Sequence, residues 1–458
     1  MREFLPKNLT NLAFAVKKSC NTPLYVIGGS VRDRLANLST KGARDWDICS
    51  PTPADDFSKV ALEMGFSVKS VFRNTGTVKL QDSDGAEYEY SCFRSDKYVR
   101  GIHTPVEIFF TQDITLDARR RDFTCNAVYY DICADAYVDP LNDGIAAILE
   151  KRFTTVDKAE KVFGEDGLRL MRLARQAAQL GFMPDADCLQ GAKQNAHLIK
   201  DISPERIFTE LTSLLQADEK YGNLGGAYQG LCLLHQTGVL AHIAPELTLG
   251  DGMAQRADFH KYDVLQHSLR AVKYAAPQVR LAALLHDVGK PFCKLRDGNS
   301  YQHPVEGARI ANEILTRWKA PKKTVDRVCK LIEGHMYDMT SQTNENKLRR
   351  FFVENYDVLD DLILLKQADF SACMDDTSTA PTCARWTAVL DKIRKENAPL
   401  TLKELAISGK DILDNLDVEP KHLSTLLQRL LFHAVAFPKD NEKERLLRLA
   451  KGFYTGLL

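Results

Sequence analysis

The sequence lacks the features that mark several specialised classes of protein. Its 458 residues contain no run of about 18 or more apolar residues, so we expect no membrane-spanning helix. Eleven cysteines, an odd number without a Cys-x-x-Cys pair, argue against a disulfide framework or a thiolate zinc site. Lys+Arg and Asp+Glu both number 61, and this zero net charge excludes a uniformly basic coat protein while leaving room for a local basic groove.

The compartment and the number of domains follow from the same simple features. The N-terminus is charged but has no apolar core of signal-peptide length, so free thiols in a cytoplasmic protein are expected. A chain of this length is too long for one compact core and should form two to four packed units. No repeat or low-complexity linker separates them.

The hydrophobic periodicity changes along the chain and predicts an α+β fold. Short strands are expected at 24–27 and 45–49, and a helix capped by Ser30 lies between them. Residues 77–80 and 88–93 should form a hairpin. After residue 163 helical spacing dominates, and the clearest helices are 163–182, 204–215, 264–275 and 279–288. The sequence thus predicts a small mixed α/β head followed by an extended all-helical remainder, with boundaries near residues 142 and 250.

A glycine turn in the head is a candidate phosphate site. The run Gly-Gly-Ser-Val-Arg-Asp at residues 28–33 lies between a predicted strand and a helix. Gly28 and Gly29 would let backbone N–H groups approach a phosphate, and Arg32 could bind it through two hydrogen bonds. Such a turn taken alone is weak evidence, because most glycine pairs only turn the chain.

Two carboxylates on the following strand strengthen this interpretation. Asp45 and Asp47 are two residues apart, so their side chains share one face of a strand. They repel each other unless a cation lies between them, and two Mg²⁺ ions roughly 4 Å apart could bridge the pair for phosphoryl displacement. Glu89 is a possible third carboxylate, although a solvated strand face explains it equally well.

Two further segments carry basic residues at regular positions. The run Arg-Arg-Arg-Asp-Phe-Thr-Cys-Asn-Ala at residues 119–127 is partly anchored by apolar neighbours, which would hold one arginine in a fixed direction suited to a triphosphate. The predicted helix from residue 163 has acidic residues in its first turn and a charged stripe, which a plain ion-paired surface explains as well. The stripe comprises Asp166, Arg169, Arg172 and Arg175.

Histidines and aspartates cluster in the second half of the chain. His267 begins a helix, and the pair His286-Asp287 ends an apolar run, where unpaired polar groups would be costly. His303, His335 and Asp369 follow. The pattern therefore predicts a metal site or a tight polar network.

Taken in order, these motifs resemble a known family. The Gly-Gly-x-Val-Arg-Asp, Asp-x-Asp, Arg-Arg-Asp-Phe-Thr-x-Asn-Ala and Glu-Asp-x-x-Arg motifs are similar to those of class II tRNA nucleotidyltransferases (CCA-adding enzymes) and the related bacterial poly(A) polymerases. The resemblance implies Mg²⁺ at catalytic Asp45 and Asp47. It implies nucleotide binding by Gly28, Gly29, Arg32, Arg121, Asp122, Asn126, Glu165, Asp166, Arg169, Arg172 and Arg175. In particular, Asp166 and Arg169 would select CTP and ATP, Glu165 would brace Arg169, and the last two arginines would face phosphate.

The later cluster resembles the HD phosphohydrolase superfamily. The resemblance implies that His267, His286, Asp287 and Asp369 hold a divalent metal, with His303 and His335 as extra ligands of two-metal members. Imidazole with carboxylate suits Mn²⁺, Ni²⁺, Fe²⁺ or Zn²⁺ better than Mg²⁺ alone. The alternative is a degenerate domain that only supports the helical body.

The expected function is template-independent addition of C, C and A to the 3′ end of tRNA from CTP and ATP. The expected domains are a head (1–142), a neck (143–250), an HD domain (251–375) and a helical tail (376–458). Neither DNA nor a membrane is expected as a partner, and the oligomeric state is open. The alternatives are a poly(A) polymerase, an enzyme that adds only CC or only A, and a phosphohydrolase whose head merely binds RNA. The segment between Phe93 and Thr111 is the candidate loop for A addition.

Overall fold

A computed structural model describes residues 1–38, 45–98 and 105–456, apart from the side chain of Arg2. The chain forms two compact units: Met1–Thr248 with Arg317–Ala320, and Leu249–Thr316 with Pro321–Leu458. No helix in the described part of the chain is long and apolar enough to cross a membrane. The expected loop between Phe93 and Thr111 lies partly outside the described residues.

The first unit contains a mixed seven-stranded sheet in the order β3-β4-β5-β2-β1-β8-β9. Its strands are β1 (Tyr25–Ile27), β2 (Asp45–Ser50), β3 (Ser67–Phe72), β4 (Thr77–Gln81), β5 (Glu87–Cys92), β8 (Tyr129–Asp131) and β9 (Ala136–Val138). Strands β2 and β5 pair in parallel and the other neighbours are antiparallel. The predicted hairpin is confirmed, and Gly85 takes a positive φ of 82° at its turn.

Other short strands form two separate pairs. β6 (Arg94–Lys97) and β7 (Glu107–Phe110) make an antiparallel ribbon, and β10 (Arg152–Phe153) pairs in parallel with β11 (Met183–Pro184). The second pair is a short exception in a region whose described remainder is helical, so the expected α+β fold is confirmed.

Helices surround the sheet and continue to the end of the first unit. They are α1 (Lys7–Cys20), α2 (Gly29–Leu35), α3 (Ala54–Glu63), α4 (Ile114–Arg119), α5 (Gly144–Leu149), α6 (Ala159–Glu165), α7 (Leu168–Leu180), α8 (Ala186–Asn195), α9 (Pro204–Leu215), α10 (Ala217–Tyr221), α11 (Gly226–Gln236), α12 (Val239–Ile243) and α13 (Pro245–Thr248). Ser30 lies inside α2 and does not cap it, because Gly28 holds the N-cap position.

The predicted helix over 163–182 is interrupted. Both acidic residues were expected in the first turn of the helix. Instead Glu165 ends α6 and Asp166 is extended with φ −147°, so neither lies in the first turn of α7. The break falls where Gly167 packs closely, since a Cβ atom there would lie 2.7 Å from the carbonyl oxygen of Leu198. Gly181, with φ 68°, ends α7 as predicted.

The sheet core is aromatic, and this explains the alternation of β5. Tyr88 and Tyr90 are buried while Glu87 and Glu89 face outward. Tyr90 stacks on Phe57 of α3 with ring centroids 3.7 Å apart. The period of two thus fixes which face of β5, and of its neighbour β2, carries the acidic side chains.

The second unit is helical throughout its described part. Its helices are α14 (Val264–Tyr274), α15 (Arg280–Leu285), α16 (Lys290–Asp297), α17 (His303–Arg317, whose last residue falls in the first unit), α18 (Lys322–Gly334), α19 (Glu345–Glu354), α20 (Leu359–Met374), α21 (Pro381–Lys395), α22 (Gly409–Asn415), α23 (Pro420–Ala436) and α24 (Lys443–Thr455). Trp386 of α21 is fully buried and packs against the rings of Phe351 and Phe352.

Candidate nucleotide site and candidate metal centre

The acidic face of the sheet brings the predicted carboxylates together. Asp45 and Asp47 of β2 are both exposed, and the parallel register places Glu87 and Glu89 of β5 beside them. Loss of solvation and then the charge of Glu89 raise the pKa of Asp47, so a cation would be favoured there. Lys79 partly offsets the acidic charge through its 3.4 Å contact with Glu89.

The glycine turn lies directly beside this face. Gly28 has φ 74°, a conformation that favours glycine, and a Cβ atom added there would lie 3.3 Å from Asp47 Oδ2. The structure therefore joins the predicted phosphate turn to the predicted carboxylate pair.

Arg32 is held by the protein instead of projecting into solvent. Its Nε and Nη2 donate to Asp33 Oδ1 at 2.9 and 2.6 Å, and its Nη1 donates to Asn126 Oδ1 at 2.7 Å. Nη1 also contacts Gln176 Oε1 at 3.2 Å. With Nη2 also donating to the Tyr221 hydroxyl at 3.3 Å, all five N–H donors of Arg32 are engaged within the protein, so its direct binding of phosphate stays a prediction.

Asp122 is the acidic centre of the same network. Arg172 donates to its Oδ2 from Nε and Nη2 at 2.9 and 2.7 Å, and Asn126 Nδ2 and the Phe123 N–H donate to its Oδ1. Burial alone would raise the pKa of Asp122, but the charge of Arg172 and these hydrogen bonds hold it well below its usual range. Asp122 is therefore ionised, and it holds Arg172 directly and Arg32 through Asn126.

The Arg119–Arg121 run is anchored in a similar way. Asp117 is fully buried and accepts from Arg120 Nε at 2.7 Å, Arg121 Nη2 at 2.8 Å and the Tyr129 hydroxyl at 2.7 Å. Burial raises the pKa of Asp117, yet the two arginine charges bring it far below its usual range. Arg121 is also close enough to Asp47 for its charge to lower the pKa of that carboxyl.

The neck arginines make specific contacts. Arg169 is buried and donates from Nη1 to Glu165 Oε2 at 3.0 Å and to the Val162 carbonyl at 2.8 Å, while its Nη2 donates to the Arg120 carbonyl at 2.8 Å. Asp166 accepts from the Leu168 N–H.

The last arginine of the predicted stripe is paired as well. Arg175 pairs with Glu210 at 2.6 Å and donates to Gln179. The stripe is thus largely engaged within the protein, and its roles towards base and phosphate stay predictions.

Two residues of this network were not singled out from the sequence. Gln176 contacts Arg32, Asn126 and Asp122 at once, and it follows Arg172 by one helical turn, a spacing that could have identified it. Tyr221 of α10 donates its hydroxyl proton to Asp33 Oδ2 at 2.7 Å. No local pattern could have signalled this contact, because its partner is far away in the sequence.

The second unit brings all the predicted histidines and aspartates into one buried cluster. Two groups of potential ligands share Asp287, and within each group the ligand atoms all lie within 4.8 Å of one another. The first group comprises His267, His286 and Asp287, and the second comprises Asp287, His303 and His335. Asp369 Oδ1 lies 2.9 Å from His267 Nε2 and 3.5 Å from His286 Nε2 and so completes the first group.

Asp287 stands between the two groups. Its Oδ2 lies 3.4 Å from His267 Nε2 and 3.3 Å from His286 Nε2, whereas its Oδ1 lies 3.3 Å from His303 Nε2. Both oxygens are buried, and Oδ2 is also paired with Lys290 Nζ at 2.6 Å. Such a crowded set of buried acceptors fits divalent cations, because a cation would satisfy them together.

The histidine rings are oriented by bonds on their far sides. Nδ1 of His286 lies 2.8 Å from the carbonyl of Ala283, and Nδ1 of His303 and of His335 also contacts the carbonyl three residues before it. Their Nε2 atoms are therefore free to ligate. Burial would lower the pKa of His286, but the charges of Asp287 and Asp369 raise it to about 10. The two carboxylates thus favour a positive charge at this ring.

Lys366 of α20 supports this cluster from outside and was not singled out from the sequence. Its Nζ donates to the carbonyl oxygens of His335 and Tyr337 at 2.7 and 2.8 Å. Burial lowers the pKa of Lys366 to about 8. It precedes Asp369 by one helical turn, so it connects two of the predicted ligands.

Three family models match the chain. Residues 24–154 match the poly A polymerase head domain, residues 181–249 match the probable RNA and SrmB-binding site of polymerase A, and residues 264–369 match the HD domain. The first segment contains the glycine turn and the carboxylate pair, the third contains the buried histidines and aspartates, and the arginines of α7 lie between the first two segments.

Named relatives align with most of the chain at modest identity. The A-adding tRNA nucleotidyltransferase of Deinococcus radiodurans is 27% identical over 414 residues, which cover 86% of this chain and 87% of the relative. The CCA-adding enzyme of Enterococcus faecalis is 25% identical over 436 residues, covering 93% and 91%.

Solved structures share the fold. The CCA-adding enzyme of Bacillus stearothermophilus in complex with CTP has a TM-score of 0.68 at 23% identity, covering 98% of both chains. The Thermotoga maritima CCA-adding enzyme complexed with tRNA has a TM-score of 0.62 at 15% identity, covering 97% of this chain and 95% of that one. With its matched head, RNA-binding and HD segments, the chain is thus similar along most of its length to proteins named as CCA-adding and A-adding tRNA nucleotidyltransferases.

Proposed function

We propose that the first unit adds C, C and A to the 3′ end of tRNA from CTP and ATP, without a nucleic acid template. The observation that carries this proposal is the position of Asp45 and Asp47 beside Glu89, with the Gly28 turn against Asp47. The names of the relatives from Enterococcus faecalis and Bacillus stearothermophilus support the choice of substrate.

In this reaction the tRNA 3′-hydroxyl attacks the α-phosphate of the nucleotide. A bond forms between that oxygen and phosphorus, the bond to the β-phosphate oxygen breaks, and pyrophosphate leaves. Mg²⁺ held by Asp45 and Asp47 would supply charge stabilisation of the attacking and leaving oxygens. The backbone at Gly28 and Gly29 would approach the phosphates, and Arg121 and Arg172 would contribute positive charge near Asp47.

Base selection is assigned to Asp166, in the extended break before α7, and to Arg169 in the first turn of α7. Asp166 would accept from the exocyclic amino group that C and A share, and Arg169 would donate to a ring nitrogen. Among the described residues, Val162, Glu165 and Arg120 engage three of the five N–H donors of Arg169, and the proposal assigns the other two to the base. The fixed guanidinium would therefore present a constant edge to either nucleotide.

For the second unit we propose a metal-dependent phosphohydrolase. His267, His286, Asp287 and Asp369 would hold one divalent ion, and His303 and His335 would hold another together with Asp287. The mixed nitrogen and oxygen donors favour Mn²⁺, Ni²⁺, Fe²⁺ or Zn²⁺. The convergence of four histidines and two aspartates on one buried cluster supports this assignment over a domain that is only structural.

A second candidate function is addition of the terminal A alone. It is favoured by the A-adding relative from Deinococcus radiodurans, which aligns with 86% of this chain. The chemistry at Asp45 and Asp47 would be the same, and only the nucleotide choice would differ.

One experiment separates these functions. Three RNAs are incubated with Mg²⁺ and with CTP, ATP or both: tRNA lacking CCA, tRNA ending in CC, and unstructured oligo(A). Two C and one A on tRNA, with oligo(A) unchanged, is the expected result. Only A on the CC-ending tRNA would establish the second candidate, and a long A ladder on any RNA would indicate a poly(A) polymerase. No extension in any lane would contradict the assignment of the first unit.

A further inference from the structure

His267 differs from the other histidines of the buried cluster in the state of its second ring nitrogen. The other three rings are each anchored through Nδ1 to a backbone carbonyl. His267 Nδ1 is equally buried, yet it has no hydrogen-bond partner among the described residues. Since Nε2 of this ring already contacts His286 and Asp369, Nδ1 is its available ligand atom.

Two further potential ligands lie beside this ring. His260, in the segment before α14, and Cys373, near the end of α20, each offer a ligand atom within 4.8 Å of His267 and of each other. The rings of His260 and His267 are 4.9 Å apart and nearly perpendicular. His260 Nδ1 is also buried and without a partner in the described structure.

The backbone holds these residues in place. The N–H of Lys261 donates to the carbonyl oxygen of Cys373 at 2.9 Å, so the segment carrying His260 is bonded to the end of α20. His260 and Cys373 are both half-buried, which gives an ion a route from solvent to the site.

We propose that His260, His267 and Cys373 form a separate cation site that takes a thiophilic divalent ion such as Zn²⁺. Two imidazoles and one thiolate are a donor set that Zn²⁺ prefers, and a fourth position would stay open to water. The sequence argued against a thiolate zinc site because it has no Cys-x-x-Cys pair. A site with a single thiolate needs no such pair, since the fold brings its three ligands together from distant positions.

Binding at this site has a defined proton balance. The Cys373 thiol loses its proton when its sulfur binds the ion, whereas neutral His267 binds through Nδ1 with its ring proton on Nε2, 2.9 Å from Asp369 Oδ1. If an ion of the HD centre also occupies His267 Nε2, the ring binds as an imidazolate between the two sites. The two sites are then coupled, and each ion alters the affinity of the other by the same factor.

Cobalt substitution tests this site directly. The full chain is stripped of metal and titrated with Co²⁺, and absorption is recorded in the visible and near-ultraviolet regions. A thiolate-to-cobalt charge-transfer band requires a cysteine ligand, which the HD centre of histidines and aspartates does not contain. We expect this band in the wild type, its loss in Cys373→Ser and its reduction in His260→Ala.

Two controls separate this proposal from that of the HD centre. Cys329→Ser changes another half-buried cysteine of the same unit and should keep the band. Asp287→Asn weakens the HD centre and should keep the charge-transfer band while it reduces the number of bound ions. A wild type that binds Co²⁺ without the band, a band that survives Cys373→Ser, or a chain that binds no Co²⁺ would each overturn the proposal. The first of these results would leave the HD centre intact.

Discussion

The two candidate sites of this chain solve the problem of holding a cation in opposite ways. In the first unit Asp45 and Asp47 are exposed on a strand, and the buried charges around them are satisfied by other protein groups. In the second unit the histidines and Asp287 are buried, and the Asp287 oxygens lie 3.3–3.4 Å from three histidine Nε2 atoms. The first site is open to solvent, whereas in the second the protein itself supplies a buried set of ligands.

This difference suggests what each site needs from its ligands. An exposed carboxylate pair suits Mg²⁺, which keeps several waters and is usually completed by substrate phosphates. A buried set of imidazoles and carboxylates replaces most of the water around a transition metal. We therefore expect the cation of the first unit to arrive with the nucleotide and that of the second unit to stay with the protein.

The largest expected effect is loss of nucleotide addition on removing an acidic ligand of the open site. Asp47→Asn keeps the size of the side chain but removes its charge. We expect the rate of addition to fall roughly 10³-fold, because several kcal/mol of transition-state stabilisation depend on the cation. Asp55→Asn, at an exposed aspartate paired with Arg73, is the matched control and should retain its rate. A purified Asp45→Asn/Asp47→Asn variant with normal activity would contradict the site.

Removing an acidic ligand from the buried centre should reduce metal binding and hydrolysis and leave nucleotide addition unchanged. Asp287→Asn removes the carboxylate shared by both ligand groups, so we expect metal affinity at least about 10²-fold weaker and loss of phosphohydrolase activity. Metal content after desalting and hydrolysis of a 2′,3′-cyclic nucleotide measure these effects, while nucleotide addition should be unchanged. Asp297→Asn, at an exposed aspartate paired with Arg296, is the control. Full metal retention in Asp287→Asn would mean that the centre does not bind through this residue.

Local patterns were sufficient to predict the elements that carry the chemistry. The alternation of β5, the Asp45 and Asp47 pair and the hairpin turn at Gly85 depend on neighbours in sequence, and the structure has each element where the pattern put it. The apolar run before His286 likewise predicted a buried position for that residue.

Long-range packing decided the features that the sequence did not predict. The helix expected over 163–182 breaks at the extended Asp166, beside the close packing of Gly167 on the Leu198 backbone, and a helical period holds no information about that packing. Tyr221 meets Asp33 only through the fold. The arginine stripe of α7 was compatible with a solvated surface, and its burial depends on partners such as Glu210 that lie on other helices.

The buried ion pairs of Asp117 with Arg120 and Arg121 should contribute to the free energy of unfolding. Asp117→Asn removes the charge that pairs with Arg120 and Arg121, and we expect the free energy of unfolding at pH 7 to fall by about 3–5 kcal/mol. Asp55→Asn should cost less than about 1 kcal/mol, since its ion pair is exposed. Urea denaturation of both variants measures the difference.

The pH dependence of this difference has a definite sign. The folded-state pKa of Asp117 lies below its unfolded value of about 3.9, so its stabilisation is complete above that value. It is lost as the pH falls towards the folded-state pKa. The gap between Asp117→Asn and the wild type should therefore narrow below about pH 4. A gap that stays constant with pH would show that the carboxylate charge is not the cause.

The smallest expected effect tests whether the internal network of the open site serves nucleotide binding. Tyr221→Phe removes the hydroxyl that donates to Asp33 and accepts from Arg32 Nη2. A hydrogen bond to a charged group contributes about 1.5 kcal/mol at the low end, so if it orders the site for the nucleotide, KM should rise by up to roughly tenfold with kcat nearly unchanged. Tyr137→Phe, at a half-buried tyrosine of β9, should leave both constants unchanged. If Tyr221→Phe lowers stability but not nucleotide affinity, Tyr221 supports the fold alone and Arg32 does not depend on it for binding.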